Sequence, residues 1–460
     1  MARKNSTKHV LRQEFLKIAF PAILENAVVV LITSIDTKMI SPLSHTALSA
    51  VALTTQPKLL VFSLFYALGI TASFFISHAK GKNDKGEANR YFHLILKITI
   101  ILSAAIGGVT AVFAEPVMDF FSFQQETLPL SAAFFRIIMI GLLFQAVSII
   151  LNASLRGMGN TKVTLYASIA MGAVDILVNY LLIEGHWGCP RLEVRGDAIG
   201  TVAGTIAACF VGMYFLAKKD SFLTFRGFFK KTAERKAALK EIKSKAVNTI
   251  LENIFTRIGF LLSAVIVSSL SSSQTAVYFV TMILLNYTFV VGDGLQAAVS
   301  SLTGQSMGAN KPAKIKWIAG YGKKLGFFTA LGLSALYILT SRYFFGFFFS
   351  DAASIHLGSQ YAYFAAALTI LQIMRFVNVG ILRGAGDVET PRNMAIICVL
   401  IINPLTAFLL TDIFHFGVWG IWIASVAAQS VWFVMSMVRQ FAIQKSLRKS
   451  RNGGEAWIAH

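Results

Sequence analysis

Long apolar stretches alternate with short polar ones along the whole 460-residue chain, and no water-soluble core can absorb that pattern. Twelve spans stand out, at 18–40, 51–76, 93–114, 130–154, 163–183, 197–216, 246–270, 276–302, 322–345, 357–381, 393–414 and 418–441. Each is near the ~20 residues that a helix needs to cross a bilayer. The runs are continuously apolar and do not alternate with period two, so they read as helices and not as barrel strands. Composition agrees. Hydrophobic residues make up 55% of the chain and charged residues 14%, with a mean hydropathy of +0.64. A soluble domain carries roughly 25% charge. A soluble enzyme, a disordered scaffold and a disulfide-stapled secreted domain are therefore excluded. Cys189, Cys209 and Cys398 are far apart and form no CxxC pair, which leaves neither a zinc knuckle nor a redox motif. The fold class is all-α integral membrane.

A net charge of +20 suggests a nucleic-acid binder until the charges are placed. Of the 42 Lys and Arg, 34 fall on alternate polar segments and the helix ends beside them: the N-terminus to Lys17, 78–97, 156–162, 217–245, 303–324, 383–392 and the C-terminal end from Arg439. The intervening loops and helix ends hold only Arg191, Arg195 and Arg342, and the other five lie within spans: Lys38, Lys58, Arg136, Arg257 and Arg375. Basic residues stay on the cytoplasmic side. Both termini are thus expected in the cytoplasm of a cell-membrane protein, and anionic lipid is the expected partner of the basic surface, with no nucleic acid. The basic N-terminal stretch resembles the start of a signal peptide. The run after it is long, contains Glu25 and Asp36 and lacks a clear small-residue cleavage site, so it reads as a retained first membrane helix.

The chain is also written twice. Ile-Leu-Glu-Asn occurs at 23–26 and again at 250–253, an offset of 227. The same offset carries Gly81-Lys82-Asn83 onto Gly308-Ala309-Asn310, and Leu155-Arg156-Gly157-Met158-Gly159 onto Leu382-Arg383-Gly384-Ala385-Gly386. After the fifth span the register breaks, because the loop at 184–196 is longer than its counterpart near 411–417. Six helices per half is an even number, so the repeat is parallel. The expected architecture is twelve transmembrane helices in two six-helix lobes, 1–216 and 246–441. A basic cytoplasmic linker at 217–245 joins them, read as a solvated connector although Thr232–Lys245 could form a surface amphipathic helix, and a cytoplasmic tail follows at 442–460.

These features resemble the multidrug and toxic compound extrusion (MATE) family, within the superfamily that includes polysaccharide-lipid flippases. The resemblance runs over essentially the whole chain. Its carriers are Pro21 with Ile35-Asp36, Gly81-Lys82-Asn83, the segment Leu155–Thr161, Asp175–Asn179 with Leu181-Leu182-Ile183, Gly304–Asn310 and Leu382–Asp387. It implies a two-lobed secondary transporter that exports lipophilic, often cationic compounds in exchange for entering Na⁺ or H⁺.

An exporter needs an energy source, and the chain has no GxxxxGK[ST] loop for ATP. An ion gradient needs ionisable groups inside the membrane, where they are costly and functionally suspect. Glu25 and Asp36 are eleven residues apart on the first span, about three turns, and share a face. Asp175 and Asn179 are spaced i, i+4 on the fifth. Glu252 is the repeat copy of Glu25. A carboxylate held away from water is a candidate proton carrier, and with amide and hydroxyl oxygens around it a hard-oxygen site for Na⁺. The family's N-lobe coupling site implies Asp36, Asp175, Asn179 and Thr201 here, with the order of acid and amide on the fifth helix exchanged. The family's helix-1 proline, whose bend is tied to protonation, resembles Pro21. Each residue also has a plainer reading. Asp36 lies about 6 Å from the outer helix end by helical rise and could sit at the interface beside Lys38. Asn179 and Thr201 could only bridge helices, and Glu25 could be satisfied by its neighbours.

The second half departs further. One branch of the family has acids on helices 7 and 10. Here helix 7 supplies Glu252 and helix 10 carries Arg375, while Arg257 and Asp293 complete a buried charge set, which could be a secondary coupling site or structural neutralisation. An anchoring ion pair involving Arg375 is one expectation. Aromatic residues, 12% of the chain, suit organic cations; the cluster Tyr343–Phe349 sits at an outer helix end and reads as an interfacial belt. The function expected is cation-coupled antiport of lipophilic, cationic organic compounds by a monomer without a cofactor. A flippase for lipid-linked saccharides is the alternative and would need several central cations. A membrane enzyme is a remoter one, disfavoured by scattered histidines and the lack of HExxH, and a channel is disfavoured by buried acids in a two-lobe design.

Overall fold

The computed structural model describes residues 2–121, 126–218, 220–229, 235–268 and 270–453. The expected linker at 219 and 230–234, and the expected tail at 454–460, lie outside these residues. The chain is helical almost throughout. The helices are α1 (Ala2–Ile40), α2 (His45–Lys82), α3 (Lys85–Val112), the short α4 (Ala114–Phe121), α5 (Leu128–Ile140), α6 (Leu142–Gly157), α7 (Thr161–Ile183) and α8 (Val194–Ala217). The second half contributes α9 (Arg235–Ser268), α10 (Ser272–Gly308), α11 (Pro312–Phe348), α12 (Ala352–Gly384), α13 (Glu389–Ile413) and α14 (Val418–Gly453). Among the described residues eleven helices are long and apolar enough to cross a membrane, and α5 with α6 makes a twelfth span if the bent pair is taken as one.

That twelfth span, expected as one run over 130–154, is broken by 52° between α5 and α6. The break falls at Gly141, where a Cβ would collide with Val202 of α8. A glycine is the only residue that lets α8 approach there, and it is also a weak helix former. The thirteenth helix is irregular in another way. Residues 395–402 and 409–413 are π-helical on either side of a short α-helical piece containing Pro404.

The helices form two compact units, 24–246 and 1–23 with 247–460. This division differs from the one expected at 216 and 246, because α1 belongs to both. Its early turns bury Phe15, Ile18 and Ala19 among Leu295, Val299, Ile318 and Val377 of the second unit. The connection is also less of a loop than expected. Residues from Arg235 are already helical and run without interruption into α9. Ala238 and Ile242 are buried, and Glu241 accepts a hydrogen bond from Tyr91 of α3.

The repeat appears in the contacts within each unit. Arg156 pairs with Glu25 at 2.7 Å, and Arg383 with Glu252 at 2.8 Å. The caps after α2 and α10 both place an asparagine in the left-handed region, Asn83 at φ 59° and Asn310 at φ 51°. Gly157 lies against the backbone of Ser73, and Gly384 against that of Ser300, one repeat further on. Tyr343 and Phe347 of the aromatic cluster are exposed and Phe345 is buried, as a lipid-facing helix end would have it.

Candidate cation site

The unit 24–246 contains a cavity of about 390 Å³. Three helices bring acids to it. Asp36 is four residues from the end of α1, Asp175 lies in the second half of α7, and Asp197 sits in the first turn of α8. The two last are buried, and Asn179, one turn after Asp175, is fully so.

The close approach of α7 and α8 makes this possible. Gly200 and Gly204 of α8 face α7, and a Cβ on Gly204 would lie 2.6 Å from the Met171 carbonyl and 2.9 Å from the Asp175 Cβ. Small residues at four-residue spacing let two apolar helices come this near. The Asn179 side chain takes the space above Gly200, where a Cβ would collide with its Oδ1.

Asn179 is the centre of the arrangement. Its Nδ2 donates to Asp36 Oδ1 at 3.1 Å, Asp175 Oδ1 at 3.1 Å and Asp197 Oδ1 at 3.2 Å. One amide with two hydrogens thus serves three carboxylates. Its Oδ1 is buried and has no hydrogen-bond partner. Lys58 of α2 lines the same cavity, within electrostatic reach of all three acids, and its ammonium stands 5.8 Å from the Phe134 ring centre. Thr201, Thr205 and Gln145 add neutral polar groups, with Thr205 donating to Gln145 at 2.9 Å. Thr33, Thr37 and Thr55 line it too, and the rest of the wall is apolar, including Val29, Ile32, Phe62, Ile138 and Met171.

The structure therefore brings Asp36, Asp175 and Thr201 to one cavity and sets the fully buried Asn179 behind it, bonded to the acids. It adds Asp197 and Lys58, which the sequence did not single out. Asp197 lies one turn before Thr201, the i, i+4 spacing already used to link Asp175 and Asn179, and that was the available signal. Lys58 stood out only as a lysine within a span.

The other candidates lie elsewhere. Glu25 accepts from Arg156 Nη2 at 2.7 Å and from Thr164 Oγ1 at 2.6 Å, away from the cavity. In the unit 1–23 with 247–460, the anchoring pair expected of Arg375 is made by Arg383, which reaches Glu252 because the repeat motif carries it there. Arg375 stacks over Trp432 at 4.2 Å and Phe376 at 4.6 Å, within the field of Asp293 and Glu252. Arg257 and Asp293 are both engaged by neighbours. Pro21 sits inside an uninterrupted α1, two residues before the boundary between the units.

Comparison with known proteins agrees with the repeated helical fold. The MatE family model matches residues 21–181 and again 249–409, once per repeat. The chain is 21% identical over 417 residues to "Probable multidrug resistance protein NorM" of Thermotoga maritima, covering 91% of this chain and 89% of that one. It is 24% identical over 383 residues to "Probable multidrug resistance protein YoeA" of Bacillus subtilis, covering 81% of each. A solved structure described as an outward-facing conformation of a multidrug resistance MATE family transporter shares the fold at a TM-score of 0.88. Its identity is 19%, over 95% of this chain and 97% of that one.

Proposed function

The chain belongs to the MatE family of transporters, and we propose that it exports lipophilic organic cations from the cell in exchange for an entering cation, H⁺ or Na⁺. The observation that carries this reading is the single Asn179 amide shared by three carboxylates at a cavity whose other polar groups are one lysine and neutral side chains. Fully ionised, Asp36, Asp175 and Asp197 outnumber the one ammonium by two charges. A charge held away from water is expensive unless it is paired, so the cavity has a reason to take up cations from the outer solution. Loading would remove the charge that holds Asn179 and would loosen the tie between α1, α7 and α8. Because α1 is shared by both units, and Pro21 deprives it of one backbone hydrogen bond, such a change acts on the helix best placed to bend. Aromatic walls such as Phe62 and Phe134 suit a flat, cationic cargo.

The charge distribution supports cytoplasmic termini and a cell-membrane location. A cysteine at Phe229, which is exposed, in a background without Cys189, Cys209 and Cys398 should react with impermeant reagents only from the inside. Each copy is read as a monomer whose own helices line the cavity.

The functional test uses sealed vesicles. A pH gradient and then a Na⁺ gradient are imposed, and a fluorescent organic cation is followed. Export driven by either gradient and lost in Asp36→Asn and Asp175→Asn supports the reading. Export indifferent to both gradients, or unchanged in the double variant, refutes it.

A further inference from the structure

Among the groups lining the acid cavity, Lys58 is the one with no counterpart in a simple cation site. We propose that Lys58 is a tethered counter-cation that holds the place a sodium ion would take, so that the cavity exchanges protons and not Na⁺. The proposal rests on the reading of this cavity as the coupling site and names the ion it uses.

Three observations carry it. First, the ammonium is supplied by α2 to a cavity whose acids come from α1, α7 and α8, so it acts on all three at once. A second cation there would meet the repulsion of the ammonium at low dielectric, where screening is weak. A proton bonded to a carboxylate oxygen neutralises that acid and adds no separate charge.

Second, Asn179 turns its donor and not its acceptor to the acids. Its Nδ2 faces them and its Oδ1 faces Gly200, where it accepts nothing from the described residues. Asn179 could join a Na⁺ shell only with that oxygen turned inward, because hard cations are held by oxygens. A donor turned inward fits carboxylates that carry their own charge and exchange only protons.

Third, the rest of the lining adds no other charge. Asp36, Asp175 and Asp197 are the titratable groups facing Lys58, and the other polar lining groups, Thr33 and Thr37 of α1, Thr55 of α2, Gln145 of α6 and Thr201 and Thr205 of α8, are uncharged. α5 presents Phe134 and Ile138, and α3, packed behind α2, adds no charged side chain to the lining. Three acids against one ammonium leave room for up to two protons. Each binds a carboxylate oxygen from the outer solution and leaves from the same oxygen to the inner one.

The test measures Na⁺ binding separately from transport. The purified protein, Lys58→Arg and Lys58→Gln are melted in NaCl and in choline chloride at equal ionic strength. The unaltered protein and Lys58→Arg should melt at the same temperature in both salts. Lys58→Gln should gain a Na⁺-specific rise of ~2–4 °C. In vesicles, export by the unaltered protein should follow the pH gradient alone, and Lys58→Gln should lose at least ~10-fold of that rate. A Na⁺-specific rise or Na⁺-driven export in the unaltered protein overturns the proposal, as does a folded Lys58→Gln that stays indifferent to Na⁺. Should Lys58→Gln fail to fold, the salt comparison on the unaltered protein and Lys58→Arg still decides. If neither gradient drives export, the proposed function falls, while the melts still judge Lys58.

Discussion

The two halves of the chain repeat one skeleton and differ in what they bury inside it. Glu25 with Arg156 and Glu252 with Arg383 are copies of one ion pair, each spanning 131 residues of sequence. The acid cavity has no such copy. At the repeat positions of Asp36, Lys58, Asp175 and Asn179 stand Ser263, Leu285, Ile402 and Thr406. Ser263 accepts a hydrogen bond from Asn403 at 3.2 Å and donates to the Gly259 carbonyl at 2.9 Å, and Ser425 donates to Asn403 Oδ1 at 3.4 Å. At those positions the second half meets its buried polarity with neutral groups that satisfy one another. The first half concentrates three acids and a base. What both halves retain is the frame, and what one half adds is the chemistry.

The sharpest way to break this comparison is to neutralise each half in turn. Asp175→Asn should cut gradient-driven export by about 100-fold, measured as dye efflux from vesicles at equal protein. Thr406→Val and Ser263→Ala, at corresponding positions, should leave the rate close to that of the unaltered protein. Equal losses in both halves would mean that the chemistry is shared after all.

The frame predicts the next largest effect, on stability. Arg383→Ala strands a Glu252 whose side chain is 7% exposed. Removing one member of a buried pair costs roughly 3–5 kcal/mol. Arg156 is 35% exposed, and Glu25 keeps its bond from Thr164, so Arg156→Ala should cost less, about 1–2 kcal/mol. Melting temperatures of the two variants in one detergent check the order. The reverse order would show that the copies are not mechanically equivalent.

A glycine in each half separates site from frame. Alanine at Gly200 would collide with the Asn179 amide, and alanine at Gly420 would meet the Leu410 Cβ at 2.8 Å. Overpacking of this kind costs about 1–3 kcal/mol in either place. Only Gly200→Ala should also depress export relative to the amount of folded protein, because only it moves a group that touches the acids.

The frame was legible in the sequence because it is made of what hydropathy and repetition report. Apolar run lengths mark the spans, and the 227-residue offset aligns Glu25 with Glu252 and Arg156 with Arg383. The equal separations even contained the ion pairs, although nothing in one sequence says that two aligned residues touch. Asp36, Asp175 and Asn179 were legible because acids and amides are rare at that depth. Asp197 was not, since an acid in the first turn of a helix is also what an ordinary helix start prefers. Lys58 was hidden for the opposite reason: one basic residue in a span reads as an exception until its partners on three other helices are known. The break at Gly141 escaped because hydropathy averages over a window and is blind to direction.

The smallest effect tests whether the two halves differ in their joints as well as their cavities. The Asp84 side chain caps α3 by accepting from Glu87 N–H at 2.9 Å. Its repeat position is Lys311, which makes no side-chain cap. The second half solves the same problem with Pro312 in the first turn of α11. Proline has no N–H to satisfy and a φ already suited to a helix start. Asp84→Ala leaves a donor without its acceptor and should cost about 1 kcal/mol. Lys311→Ala removes nothing that the helix start uses and should stay within about 0.5 kcal/mol. Moving the solution across should separate the mechanisms. Lys311→Asp should add little, because the Lys314 N–H that a cap would satisfy already donates to the Lys311 carbonyl at 3.0 Å. Lys85→Pro, which gives the first half a proline at the corresponding place, should soften the loss in Asp84→Ala. Thermal melts of the single and double variants measure each step. A full loss in the double variant would show that proline cannot stand in for the aspartate cap, and that the two joints are different devices on one repeated frame.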